Sequence, residues 1–211
     1  MLGSSNSASE PGRESVASAA RILSSGGLVV YPTETVYGLG ADAFNPAAVH
    51  RIVALKVRAP RKPIAVLIAD LEMLRDLVTD VPALAQTLIR RFWPGPLTLV
   101  LPARPSVSAS LTGDSDGIGV RLSSHAIATA VVRALGRPIT TPSANPAGMA
   151  PPTTIDAARV YFGAQVDGYL DGGSLPAEPA STVIDVRDGW TLIRAGAISA
   201  AAIRAALHDG F

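Results

Sequence analysis

Cysteine is absent from the 211 residues. That absence removes disulfides, thiolate nucleophiles and cysteine-built zinc sites together. Histidine is scarce as well: His50, His125 and His208 stand far apart, without HxH or HxxxH spacing, so a histidine-built metal site is not expected. Charge of one sign is also missing, since 18 Lys and Arg against 17 Asp and Glu leave a formal +1. Global electrostatics therefore single out neither nucleic acid nor an acidic membrane, and local clustering has to decide. Aromatic residues make up only 5% and do not intersperse the basic ones as a base-stacking surface requires. No run approaches the roughly 20 apolar residues of a membrane span. The opening MLGSSNSASEPGRES has neither the basic start nor the apolar stretch of a secretory signal, so a cytosolic protein with no membrane contact is expected.

What is present suffices for a core. Apolar residues make up 48% and charged ones 17%, well away from the composition of a disordered chain. A chain of this length buries roughly 70% of its unfolded surface as one domain. We expect residues 1–12, small and polar, to form a flexible tail, and residues 13–211 to form a single domain.

Val16, Ala19, Ala20 and Leu23 fall at helical spacing, and Gly26-Gly27 stops that helix before the strand Leu28 to Tyr31. Asn45-Pro46 reads as an N-cap followed by proline at the first helical position, opening a helix through Lys56. Strands are expected at Ile64 to Ile68, Leu97 to Leu101, Gly117 to Leu122 and Pro138 to Thr141. Short helices are expected after Asp70 and Pro82 and from about His125 to Leu135. Ser181 to Val186 and Trp190 to Arg194 read as a closing hairpin, and Ser199 caps a last Ala-rich helix. About seven strands and six helices, joined by both crossovers and hairpins, predict an α/β fold: a twisted mixed (parallel/antiparallel) open sheet covered by helices.

Three segments invite chemistry. Lys56-Val57-Arg58-Ala59-Pro60-Arg61-Lys62-Pro63 places four cations in seven positions, with prolines that forbid a regular helix. A charge run often does no more than face water, so a solvated loop is one reading. The other is an anion seat, because Lys point charges and Arg forks together suit carboxylate plus phosphate. The cluster alone specifies an anion, not which one. Thr140-Thr141-Pro142-Ser143-Ala144-Asn145-Pro146 leaves a strand directly; it is either a set of turn formers or a strand-end loop presenting hydroxyls and an amide to a ligand. It is neither a Walker loop nor a GxGxxG fingerprint. Tyr31-Pro32-Thr33-Glu34-Thr35-Val36-Tyr37-Gly38-Leu39 sets two threonines, a glutamate and a glycine just after the first strand, favouring a shaped pocket over mere β-propensity. Arg121 adds a charge inside an apolar strand, costly unless paired with a substrate carboxylate or a structural salt bridge.

In combination these segments give a resemblance. The chain resembles the YrdC-like family of threonylcarbamoyl-AMP synthases from about Ala17 to Ile198, and Trp93-Pro94-Gly95-Pro96-Leu97-Thr98, Asp171-Gly172-Gly173, Ser181-Thr182-Val183-Ile184-Asp185 and Ile193-Arg194-Ala195-Gly196 add to it. Two departures occur: Ala147 stands where a serine is common, and Ala195 where a proline is common. The resemblance implies the short, single-domain form with a YrdC/RibB-like fold. It also implies that L-threonine, bicarbonate and ATP become threonylcarbamoyl-AMP and pyrophosphate, for threonylcarbamoyladenosine in tRNA. Lys56 and Arg58 would then be catalytic; Arg58, Lys62, Ser143, Asn145, Pro151 and Arg194 would bind ATP; Thr33, Thr35, Arg121, Thr141 and Ser181 would hold threonine. Arg61 falls back toward the solvated loop.

Mg²⁺ is expected to arrive with ATP rather than in a protein cage. The implied partners are a downstream tRNA threonylcarbamoyl-transferase machinery and, at most, a weak RNA contact. Two alternatives stay open: a carbamoyl-adenylate-forming domain that uses carbamoyl phosphate, for which threonine is dispensable, and a non-catalytic RNA-binding module, whose affinity falls steeply with salt.

Overall fold

The structure, a computed structural model, describes residues 15–57, 62–113, 115–176 and 179–208. The tail expected at 1–12, together with Arg58 and Arg61, lies outside the described residues. Helix α1 (Val16–Ser24) is capped by Ser15, whose hydroxyl accepts from the Ser18 amide, and Gly26 takes φ +83° to turn the chain into β1 (Val29–Tyr31). Strand β2 (Gly38–Gly40) folds back on β1, and α2 (Pro46–Leu55) starts on the Asn45 cap as read from the sequence. There follow β3 (Val66–Ile68), an Asp70-capped 3₁₀ turn leading into α3 (Leu74–Leu77), α4 (Ala83–Phe92), β4 (Leu97–Pro102), α5 (Ala109–Thr112) and β5 (Gly117–Leu122). The chain closes with α6 (Ala126–Leu135), β6 (Ile139–Thr140), α7 (Ile155–Phe162), β7 (Gly168–Tyr169), β8 (Thr182–Asp185), β9 (Thr191–Arg194) and α8 (Ala200–His208).

The mixed α/β architecture is as expected, but the strands divide between two sheets rather than one. A three-stranded sheet has the order β2-β1-β7, and a six-stranded sheet has the order β6-β3-β5-β4-β8-β9. Pairings β3/β5 and β4/β8 are parallel; β3/β6, β4/β5 and β8/β9 are antiparallel. Strand β2 escapes a propensity reading because two of its three residues are glycine. Those glycines make room for the Tyr31 ring, since a Cβ at Gly40 would lie 2.9 Å from Tyr31 Cε1. Tyr31 in turn joins the sheets, its hydroxyl donating to the Thr140 carbonyl at 3.0 Å.

Two apolar cores flank this arrangement. Leu28, Val30, Leu99, Val120, Ile184 and Ile203 belong to the larger, and Val29, Leu67, Val131 and Val132 to a smaller one that packs α1 against α6. Registers place the site. Leu97 pairs with Thr182, Thr98 with Arg121 and Val183 with Arg194. The starts of β4 and β8 and the ends of β5 and β9 therefore lie together at one end of the strands of the six-stranded sheet, next to the loop that leaves β1.

Candidate functional site

Arg121 is the centre of one half of the site. It is only 4% exposed, and its Nη2 lies 2.9 Å from Glu34 Oε1 and 3.2 Å from Thr35 Oγ1, while Nε reaches the Gly95 carbonyl. Glu34 also accepts from the Ser123 hydroxyl. Burial works against an ionised Glu34, yet the Arg121 charge and these hydrogen bonds outweigh it and hold the carboxyl below its ordinary value. Thr33 fixes the turn: its hydroxyl donates to the Val36 carbonyl at 2.7 Å and sits 3.1 Å from the Thr35 hydroxyl. Thr141 is in side-chain contact with Tyr31, whose phenol burial pushes above its ordinary value.

Ser181 and Arg194 form the neighbouring half. Arg194 forks onto Ser181, with Nη2 and Nε donating to the carbonyl at 2.7 and 3.1 Å and Nη2 reaching the hydroxyl at 2.9 Å. Ser181 Oγ also lies 3.0 Å from Thr98 Oγ1. Much of Arg194 is exposed, but desolvation of its guanidinium, and secondarily the charge of Arg121, lower its pKa from the ordinary value. Two guanidinium groups thus stand close enough to repel one another. Glu34 balances Arg121; among the described residues no carboxylate forms an ion pair with Arg194.

The basic segment meets the loop after β6 through Lys56. Lys56 ends α2, is 4% exposed, and its Nζ donates to the carbonyls of Ser143 and Asn145, each at 2.5 Å. The Ala147 amide returns a bond to the Lys56 carbonyl at 2.9 Å, so the contact of position 147 with the clamp is made by backbone. Asn145 Nδ2 donates to the Pro146 and Met149 carbonyls, and its buried Oδ1 has no hydrogen-bond partner among the described residues. Tyr37 ties in the Asp171-Gly172-Gly173 segment, its hydroxyl donating to the Gly173 carbonyl at 2.7 Å and accepting from the Gly172 amide at 3.0 Å.

The structure thus brings Thr33, Thr35, Arg121 and Thr141 together around Tyr31 and Glu34, and Ser181 with Arg194 beside them. Lys56, Ser143 and Asn145 form a separate clamp. Lys62 and Pro151 are exposed, and Arg58 lies outside the described residues. Three participants escaped the sequence reading. Glu34 is visible in its motif but has no local sign of its partner; Thr98 looks like strand propensity; Ser123 looks like a turn former. A cleft of about 600 Å³, lined by residues including Leu74, Arg75, Ile89, Arg90 and Arg104, lies beside α3 and α4 and contains none of the expected site residues. Among the described residues no group of three or more His, Asp or Glu could hold a metal ion, and no helix is long and apolar enough to cross a membrane.

Residues 21–196 match the family model Sua5_yciO_yrdC, described as telomere recombination. The chain belongs to the Sua5/YciO/YrdC family. Within that family it is 39% identical over 194 residues to a threonylcarbamoyl-AMP synthase of Bacillus subtilis, covering 91% of this chain and 56% of that one. A putative threonylcarbamoyl-AMP synthase of Mycobacterium leprae is 40% identical over 190 residues, which is 89% of this chain and 86% of the relative. The crystal structure of Pyrococcus abyssi Sua5 complexed with L-threonine superposes with a TM-score of 0.88 at 38% identity, over 92% of this chain and 59% of that one. The chain therefore spans little more than half the length of the Bacillus and Pyrococcus family members, and most of the Mycobacterium one.

Proposed function

We propose that this chain is an L-threonylcarbamoyladenylate synthase, joining L-threonine, bicarbonate and ATP into threonylcarbamoyl-AMP and pyrophosphate. The observation that carries the reading is Arg194: it forks onto Ser181, is partly desolvated, feels the charge of Arg121 and, among the described residues, has no carboxylate as ion-pair partner, so an anion is favoured beside it. The amine of threonine and bicarbonate give an N-carboxylate, and its attack on the α-phosphate of ATP accumulates negative charge. Such a step needs oriented cations and hydroxyls more than a protein nucleophile. A chain without cysteine, whose His125 is half-buried and has its pKa lowered by burial, suits that requirement.

In this reading Thr33, Thr35, Arg121, Thr141 and Ser181 hold threonine. Lys56 and Arg58 stabilise the carboxylate and phosphate charge, with Lys62, Ser143, Asn145, Pro151 and Arg194 along the nucleotide. The Lys56 clamp ties the loop at 143–147 to the end of α2. Mg²⁺ enters with ATP. The product serves tRNA modification in the cytoplasm through a downstream transferase. The names of the Bacillus and Mycobacterium relatives, and the L-threonine bound to the Pyrococcus structure, support the same assignment.

Pyrophosphate release tests it. Release that requires both threonine and bicarbonate, and that falls at least about 100-fold in Lys56→Ala and Arg58→Ala, is expected. Release without threonine but with carbamoyl phosphate would assign the chain to carbamoyl-adenylate chemistry. No release, together with salt-sensitive RNA binding, would make it a binding module.

A further inference from the structure

We propose that Thr98 is a positioning residue for the amino-acid substrate, acting through Ser181; this rests on the synthase reading above. Strand β4 reads Leu97-Thr98-Leu99-Val100-Leu101-Pro102, and Thr98, only 3% exposed, is its one polar side chain. Packing does not call for a hydroxyl there. Valine has nearly the same shape without a polar group to desolvate. The hydroxyl instead meets Ser181 Oγ at 3.0 Å.

Register explains the meeting. Thr98 pairs with Arg121 on one side and Val183 on the other, and Val183 pairs with Arg194. Directly paired residues share a sheet face, and so do residues two apart in an extended chain. Ser181, two before Val183, therefore lies on the face that carries Thr98, Arg121 and Arg194.

Across the 3.0 Å contact either hydroxyl can donate, and the proposal has Thr98 as the donor. A serine hydroxyl has one proton and two lone pairs. Arg194 Nη2 donates into one lone pair of Ser181 Oγ at 2.9 Å. When Thr98 donates into the other, the Ser181 proton is left to donate away from both, to a substrate carboxylate beside Arg121. Without Thr98 the Ser181 hydroxyl keeps Arg194 but loses the second donor, and its proton is free to rotate. Arg194 itself stays anchored, because two of its bonds go to the Ser181 carbonyl.

The test is steady-state kinetics of wild type, Thr98→Val and Thr98→Ser, varying L-threonine and ATP separately, with melting temperatures in parallel. Thr98→Val should raise the KM for L-threonine about tenfold while kcat and the KM for ATP stay within about twofold, the signature of a lost ground-state contact. Thr98→Ser should restore the threonine KM to within about threefold of wild type. An unchanged threonine KM in Thr98→Val overturns the inference. So does a joint fall in kcat and melting temperature with a rise in both KM values that Thr98→Ser does not repair, since that marks packing alone. A wild type that releases no threonine-dependent pyrophosphate overturns the synthase reading and this inference with it; an active wild type with an indifferent Thr98→Val overturns only the inference.

Discussion

Arg194 and Ser181 are joined by three hydrogen bonds across the β8–β9 pair, two to the serine carbonyl and one to its hydroxyl. The fork reads both the backbone and the side chain of the residue just before β8. Arg194 is thereby held beside Arg121 in spite of the repulsion between the two charges.

Lysine cannot reproduce that fork. Arg194→Lys keeps the charge but loses the planar bidentate contact, and we expect kcat/KM to fall about tenfold or more. Because β9 is exposed along its length, the melting temperature should change by no more than a few degrees. Kinetics and thermal melting of the same preparation check both halves of this expectation.

Removing the charge of Glu34 strands Arg121. Glu34→Gln leaves a guanidinium with 5% side-chain exposure without its counter-charge, and we expect a loss of about 2–4 kcal/mol in urea unfolding. The pH dependence follows from the sign of the shift. The folded-state pKa of Glu34 lies below its unfolded value, so its contribution is present above the unfolded pKa of about 4.3 and is lost as pH falls through the lower folded value. Unfolding curves between pH 3 and 7 should show that acid-side loss in wild type and a shallower one in Glu34→Gln.

Val57 takes φ 47° with a side chain 79% exposed, a conformation that a β-branched residue enters only with strain. Its side chain has little packing to lose. Val57→Gly should therefore stabilise the protein by about 1 kcal/mol, relief of strain outweighing the greater backbone entropy of glycine. A fall in melting temperature would contradict this account of the turn after Lys56.

Gly196 is a case where space, not φ, decides. A Cβ there would sit 2.2 Å from the Ala180 carbonyl oxygen and 2.5 Å from the Ser181 carbonyl carbon. Both are backbone and cannot swing aside. Gly196→Ala should displace Ser181, costing about 2 kcal/mol of stability and weakening L-threonine binding about tenfold or more in calorimetry.

Much of the fold could be read directly because its signals are local. The Asn45 and Asp70 caps, the apolar Gly117–Leu122 strand and the β8–β9 hairpin all appear where residue type and spacing placed them. Strand β2 stayed hidden because its glycines serve the Tyr31 ring of another strand. Helix α7 carried a readable cap, Thr154 accepting from the Ala157 amide, but its start was lost among Pro151, Pro152 and the threonines that follow. The division into two sheets is set by pairings between strands of two to six residues that lie far apart in sequence, which no short window contains.

The same contrast holds at the site. Arg121 announced itself as a charge within an apolar strand, but its ion-pair partner comes from a loop 87 positions earlier. Lys56 stood out as part of a basic run, whereas the two carbonyls that receive its ammonium belong to the loop after β6. Residue type indicated which groups needed partners; only the tertiary fold supplied them.

In the proposed reaction threonine and bicarbonate are joined and adenylated at one site. The most direct measurement is mass spectrometry of the nucleotide products after incubation with ATP, L-threonine and ¹³C-bicarbonate. We predict threonylcarbamoyl-AMP carrying one labelled carbon, formed in proportion to pyrophosphate. An adenylate without the labelled carbon, or one formed equally well without threonine, would contradict it.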